Sequence, residues 1–234
     1  MPGEPYRPSD HQLLTGAGGT VRPMTSILLV RHGESEWNAA RRWQGQADPP
    51  LTDLGRAQAA HAARSLGAID AIFASDLQRA LVTAQVIADT LGLDEPLIDA
   101  RLRERDAGEW SGLTREEIHE QWPGYLDDNP VVSTGRPTGV AERRPPGWEP
   151  EAPLWERVRA SLVDIASVLP AGDVVAVTHG GVIYATEAQL GGSGGRLANL
   201  AARWVNVDGE NMVLGERLLL VSPDETETIE RDRV

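Results

Sequence analysis

SILLVRHGESEWN (residues 26–38) sets an apolar run, Ile27 to Val30, directly before Arg31, His32 and Gly33. An unbroken apolar run of strand length, ended abruptly by charge, reads as a strand buried on both faces, the mark of a parallel sheet in an α/β protein. In such sheets ligands bind just beyond the carboxyl ends of the strands. Arg31 and His32 therefore fall where a site is expected, and Gly33 permits close backbone approach there. A second segment, DVVAVTHGG (residues 173–181), repeats the pattern, ending in His179, Gly180 and Gly181. If the two strands are parallel neighbours, both imidazoles emerge at one edge of the sheet.

Between and around these strands the chain alternates β-rich runs with amphipathic segments, which predicts an α/β fold: a three-layer α/β/α sandwich with a mostly parallel central sheet. Leu51 to Leu66 reads as a helix with Leu54, Ala57, Ala60, Ala63 and Leu66 on its apolar face. Ile69 to Ala74 is the next strand, and Ser75 with Gln78 forms the capping-box signature of a helix running to Leu91. Leu97 to Asp99 is a short strand, and Thr114 with Glu117 starts a short helix in the same way. A helix over Leu154 to Val168, the strand at 173–178, a helix after Gly180, and strands near Ala202 to Val207 and Arg217 to Val221 complete the reading.

The 234 residues suffice for one well-buried domain, placed at 24–222. Residues 1–23 are polar and rich in Pro and Gly, with no apolar signal core, and are expected to be a disordered extension ahead of Met24, a candidate native start. Residues 122–150 carry prolines that forbid a long regular element, so an irregular lid insertion is expected there. Residues 223–234 form an acidic tail.

Acidic residues outnumber basic ones, 35 to 22, for a net charge of −13. A field of that sign repels nucleic acid and anionic lipid, so neither is an expected partner. Any site for a phosphorylated substrate must then be a local positive pocket on a negative body. The absence of cysteine removes disulfides, thiol catalysis and thiolate metal sites, and leaves the cytoplasm as the default location. No apolar run approaches the ~20 residues needed to span a bilayer.

Arg79 falls in the first turn of the helix opened by Ser75. A cation there opposes the positive end of the helix dipole at a cost of a few tenths of a kcal/mol. Some other group is expected to hold it, and a phosphate would do so. His11, His61 and His119 lack a matching context and read as structural or solvated.

Together these pieces resemble the histidine phosphatase superfamily, the phosphoglycerate mutase-like family, over residues 25 to about 207. The resemblance rests on RHGESEWN at 31–38, LTDLGRAQA at 51–59, SDLQRALVTA at 75–84, LRERDAGEWSG at 102–112 and THGG at 178–181, in that order. It implies His32 as nucleophile, with Arg31, Arg79 and His179 gripping the phosphoryl oxygens and Glu104 as proton donor. It also implies phosphate contacts from the Asn38 side-chain amide and the Gly180 backbone N–H. The implied partner is a small phosphorylated metabolite, with neither metal nor cofactor required.

The sequence departs from the family in the lid. Relatives often carry Pro-Gly-Gly-Glu-Ser where this chain has Pro146, Gly147, Trp148, Glu149 and Pro150; Glu149 is the candidate for the supporting role. The mutase block ERHYG reads ERDAG at 104–108, which favours hydrolysis over return of phosphate to a second hydroxyl. Arg143 and Arg144 are the exception: a paired-Arg patch in the lid suits a second anionic group or, equally, a solvated surface. Trp43, Trp110 and Trp148 adjoin the site loops and are candidate walls of a leaving-group pocket or, alternatively, core. Three further readings stay open: a mutase, a metallohydrolase with His32, His179 and Glu104 as ligands, and a non-catalytic phosphate-binding module. A homodimer is also open, although no stretch of sequence marks its surface.

Overall fold

The computed structural model describes residues 24–126, 143–192 and 195–221. The N-terminal extension, the acidic tail and residues 127–142 of the lid lie outside the described residues. Strand β1 (Thr25–Arg31) is central, and Ile27 to Val30 are fully buried, as the unbroken apolar run requires. It pairs in parallel with β4 (Asp173–Thr178), in the register that sets Ile27 against Val174 and Arg31 against Thr178. On its other side it pairs antiparallel with β5 (Ala201–Asp208). With β2 (Ala71–Ala74), β3 (Leu97–Ile98) and β6 (Asn211–Leu219), the sheet order is β3-β2-β4-β1-β5-β6. The first four strands are parallel and the last two antiparallel.

Alternation along the strands builds the layers. Leu28, Val30, Val175 and Val177 face α2 (Asp53–Arg64) and α3 (Gln78–Leu91), packing on Ala62, Ala63, Ala84 and Ile87. Ile27, Leu29, Val174 and Ala176 face the opposite way, onto Leu154, Val158 and Leu162 of α5 (Glu151–Val168) and Val182 and Ile183 of α6 (Gly180–Gln189). Two short helices, α1 (Glu36–Ala39) and α4 (Arg115–Gln121), lie in the loops, and α4 carries the Thr114–Glu117 capping box that its sequence announces. The three-layer α/β/α arrangement is thus present. Among the described residues no helix is long and apolar enough to cross a membrane.

Four details correct the sequence reading. The buried face of α2 is Gly55, Gln58, Ala59, Ala62 and Ala63, whereas Leu54 is 37% exposed and Ala57 also points outward. The rotation is set by backbone contact: a Cβ on Gly33 would lie 2.4 Å from the Gly55 carbonyl oxygen, and one on Gly55 would lie 2.1 Å from that of Glu34. Helix α3 starts at Gln78, without the Ser75–Gln78 box. The Ser75 hydroxyl accepts instead from the Leu77 N–H, and the Gln78 N–H donates to Asp48 Oδ1 at 2.7 Å, a cap supplied from a remote loop.

Helix α5 begins at Glu151, earlier than expected, because Pro153 sits in its first turn, where a missing N–H breaks no helical bond. Strand β6 begins at Asn211 and ends at Leu219, displaced from the expected Arg217 to Val221. A tight Gly209–Glu210 turn, with Gly209 at φ +58°, pairs Asp208 with Asn211 and so fixes the hairpin register.

Candidate active site

The parallel register of β1 and β4 delivers the two histidines together. Arg31 and Thr178 are paired, the His32 N–H donates to the Thr178 carbonyl at 3.0 Å, and the imidazoles of His32 and His179 lie 5.2 Å apart, centroid to centroid. Both residues are buried, at 3% and 0% exposure. His32 Nδ1 lies 2.7 Å from the Gly33 carbonyl oxygen. A carbonyl only accepts, so Nδ1 carries the proton and the Nε2 lone pair is left for chemistry.

Burial, and then the positive charges of Arg79 and Arg31, hold the His32 pKa well below the ordinary imidazole value, partly offset by the Gly33 carbonyl. The ring is therefore neutral, with its lone pair on Nε2. His179 is depressed in the same way, first by burial and then by Arg79, and neither of its ring nitrogens has a hydrogen-bond partner.

Arg79 is fully buried at the start of α3. The group that holds it is the loop before α2: Nη1 donates to the Ala47 carbonyl at 2.7 Å and Nη2 to the Gly45 carbonyl at 2.8 Å. Its Nε has no partner. Burial lowers its pKa to about 10, resisted by the charges of Glu104 and Asp48, so it remains a cation at neutral pH. Arg31 donates through Nη1 to the Leu197 carbonyl, and its pKa too is lowered by burial. Buried unsatisfied donors cost roughly 1–3 kcal/mol each. His179 and Arg79 Nε thus keep unused hydrogen-bonding capacity at the ends of β4 and α3.

Glu104 is presented by the segment after the 3₁₀ turn at Ala100–Leu102. Its Oε1 accepts from the Arg105 N–H at 2.7 Å and its Oε2 from the Gly181 N–H, at the start of α6, at 3.1 Å. Neither neighbouring arginine side chain pairs with it: Arg103 binds Asp76 and Arg105 binds Glu151, each at 2.6 Å. A Cβ at position 181 would sit 2.2 Å from Glu104 Oε1, so the second glycine of THGG is there for the carboxylate. Sequence reasoning quoted Gly181 in that block without assigning it this part.

Asn199 was also missed. Its Nδ2 donates to the His32 carbonyl at 2.9 Å and to Asn38 Oδ1 at 3.3 Å, a tertiary contact that no local motif announces.

The remaining candidates divide. Gly180 heads α6, whose N-cap His179 makes no side-chain capping bond, and a Cβ at this position would lie 3.8 Å from Arg31 Nε. Asn38 Oδ1 is committed to the capping box of α1, accepting from the Ser35 N–H and hydroxyl at 3.1 Å each, which leaves Nδ2 as its donor. Gly33, whose bare backbone was expected to permit close approach at the site, meets Gly55 of α2 there. Its N–H donates to Thr83 Oγ1 at 3.0 Å, and its bare α-carbon accommodates Gly55.

Arg144 lies over the Trp148 ring at 4.6 Å, and Arg143 faces Tyr125 at 5.9 Å. Trp43, Trp110 and Trp148 stack edge to face with centroids 5.3 to 6.0 Å apart, in an apolar cluster with Ala107 and Ile118. The tryptophans are thus mutual packing partners behind the site loops. Glu149 pairs with Arg157 at 2.8 Å and accepts from the Asp106 N–H at 3.2 Å, so it supports the Glu104 segment despite the altered residues around it. No three His, Asp or Glu side chains among the described residues are arranged to hold a metal ion.

Known proteins resemble this chain over most of its length. The family model described as histidine phosphatase superfamily (branch 1) matches residues 27–203, which include both strand ends and Arg79 and Glu104. A protein named glucosyl-3-phosphoglycerate phosphatase, of Mycolicibacterium vanbaalenii, is 36% identical over 206 residues, covering 81% of this chain and 87% of its own length. Phosphoglycerate mutase-like protein 4 of Arabidopsis thaliana is 37% identical over 184 residues, 77% of each chain. The structure of mycobacterial glucosyl-3-phosphoglycerate phosphatase in complex with VO3 superposes with a TM-score of 0.67 at 29% identity, covering 81% of this chain and 96% of that one. On fold, on the order of its motifs and on these matches, the chain belongs to the histidine phosphatase superfamily.

Proposed function

We propose that the protein is a metal-independent phosphatase that hydrolyses a small phosphate monoester through a phosphohistidine on His32. The observation that carries this reading is the orientation of His32: Nδ1 is tied to the Gly33 carbonyl, so Nε2 is the reactive nitrogen beside His179 and two arginines.

In the first step Nε2 attacks phosphorus in line, an N–P bond forms, and the P–O bond to the leaving group breaks. The negative charge on the equatorial oxygens is met by Arg31, Arg79, His179 and the Gly180 N–H. Glu104, entering protonated, gives its proton to the departing oxygen. In the second step the Glu104 carboxylate takes a proton from water as the water oxygen attacks phosphorus, the N–P bond breaks, and inorganic phosphate leaves. The Nδ1–H bond to Gly33 steadies the positive charge of the phosphorylated imidazole throughout.

A mutase is the second reading, favoured by the naming of the Arabidopsis relative. Against it, Arg143 and Arg144 each lie over aromatic rings, and the block at 104–108 lacks the mutase His-Tyr pair. Turnover of a panel of phosphorylated metabolites by wild type and His32→Ala, with a search for acid-labile phosphate on the protein, tests the proposal. Release of inorganic phosphate, a phosphohistidine in wild type and neither in His32→Ala is the expected result. Full activity in the variant overturns the mechanism, and phosphate found on a new hydroxyl of the product identifies a mutase.

A further inference from the structure

Arg157, on the inner side of α5, has no part in the motifs that identify the family site, yet its guanidinium is spent on the segment that presents Glu104. Nη1 donates to the carbonyls of Arg101 and Arg103, both at 2.6 Å, and Nη2 donates to the carbonyl of Glu104 itself at 3.0 Å. Nε and Nη2 also bind the two oxygens of Glu149, each at 2.8 Å, a fork-on-fork pairing with Arg157 19% and Glu149 15% exposed. Glu149 continues the bracket on the far side of Glu104. Its Oε2 accepts from the Asp106 N–H at 3.2 Å, its carbonyl accepts from Arg105 Nη1 at 2.9 Å, and its own N–H donates to the Asp106 carbonyl at 3.0 Å.

We propose that Arg157 and Glu149 are positioning residues that act through Glu104, fixing the backbone on both sides of the acid so that its carboxyl group meets the leaving oxygen. The proposal rests on the acid–base reading of Glu104 given above. The geometry leaves Glu104 little freedom: main chain clamped from α5, carboxylate held by the Gly181 N–H from α6. A lysine at 157 keeps the charge, but one ammonium group cannot serve three carbonyls and a carboxylate together. A glutamine at 149 puts an NH₂ where an acceptor now faces two donors, Arg157 Nη2 and the Asp106 N–H.

The test exploits the leaving group. Proton donation matters for an alkyl phosphate such as glycerol 2-phosphate and hardly at all for 2,4-dinitrophenyl phosphate, whose leaving group departs as a stable anion. Because kcat/KM covers the steps through phosphoryl transfer to His32, it isolates that difference. In Arg157→Lys and Glu149→Gln, kcat/KM for the alkyl phosphate is expected to fall about tenfold or more, with the dinitrophenyl ester changed less than about threefold. In a Glu104→Gln background the same substitutions should add less than about twofold.

Equal losses on both esters, or full multiplication of the losses in the Glu104→Gln background, overturn the proposal in favour of a general structural role. Unchanged alkyl-phosphate turnover in Glu104→Gln overturns the acid–base reading itself, and the proposal with it. Each variant is checked by thermal unfolding, and Glu149→Gln carries the test by itself if Arg157→Lys does not fold.

Discussion

At the scale of single residues, the site is governed by what each polar atom is already doing. His32 Nδ1 is engaged, which leaves Nε2 as the free ring nitrogen that the proposed mechanism uses; Arg79 spends two nitrogens on loop carbonyls and keeps the third unpartnered. Glu104 is confined by a glycine. Adding one methyl group, in Gly181→Ala, places carbon 2.2 Å from Glu104 Oε1. The carboxylate must swing away, and alkyl-phosphate turnover is expected to drop about a hundredfold while the fold persists. Circular dichroism and steady-state kinetics on the purified variant check this, and an active Gly181→Ala would show that the carboxylate position is not critical.

Elements carry the next set of constraints. Helix α2 is locked to the His32 loop by paired glycines rather than by its larger apolar residues, so Gly55→Ala drives Cβ into the Glu34 carbonyl at 2.1 Å. The expected loss is about 2 kcal/mol or more, measured by urea unfolding, because backbone atoms cannot yield as a flexible side chain does. Helix α3 receives its cap from Asp48, in the loop whose Gly45 and Ala47 carbonyls also hold Arg79. Asp48→Ala is expected to cost about 1 kcal/mol in stability, as lost caps do, and to raise KM by loosening the loop that orients Arg79. A KM equal to that of wild type would separate the cap from the site.

For the molecule as a whole, the site sets Arg31 and Arg79 beside two buried histidines on a chain of net charge −13, and those histidines are kept neutral by burial first and by their cationic neighbours second. That has a consequence for stability. Both folded-state pKa values lie below the ordinary 6.5, so below that pH the unfolded chain binds protons that the folded chain refuses. The contribution is complete above pH 6.5 and is lost as pH falls from there toward the folded values. Urea midpoints measured from about pH 7.5 down to about pH 5 should fall for wild type and fall less for His32→Asn/His179→Asn. Identical slopes would show that the imidazoles do not carry the effect.

Much of this was legible in the chain. The runs Ile27 to Val30 and Val174 to Val177, each closely followed by His-Gly, point to two central strands and place His32 and His179 beyond their carboxyl ends, because a short, β-branched apolar run stopped by glycine fits a strand covered on both faces. The Thr114–Glu117 cap was equally readable, since both partners lie within one turn. The last strand was expected at Arg217 to Val221 and begins instead at Asn211, because the Gly209–Glu210 turn fixes the hairpin register.

What the sequence alone did not determine depends on partners far apart in the chain. The α2 face follows from Gly33 meeting Gly55, the α3 cap from Asp48 reaching Gln78, the seat of Arg79 from Gly45 and Ala47, and the hold on Glu104 from Arg157 and Gly181. Local propensity and periodicity report a residue's neighbours along the chain. Hydrogen bonds and backbone contacts between distant segments exist only once the layers have packed, and in this protein they decide how His32, Arg79 and Glu104 are held.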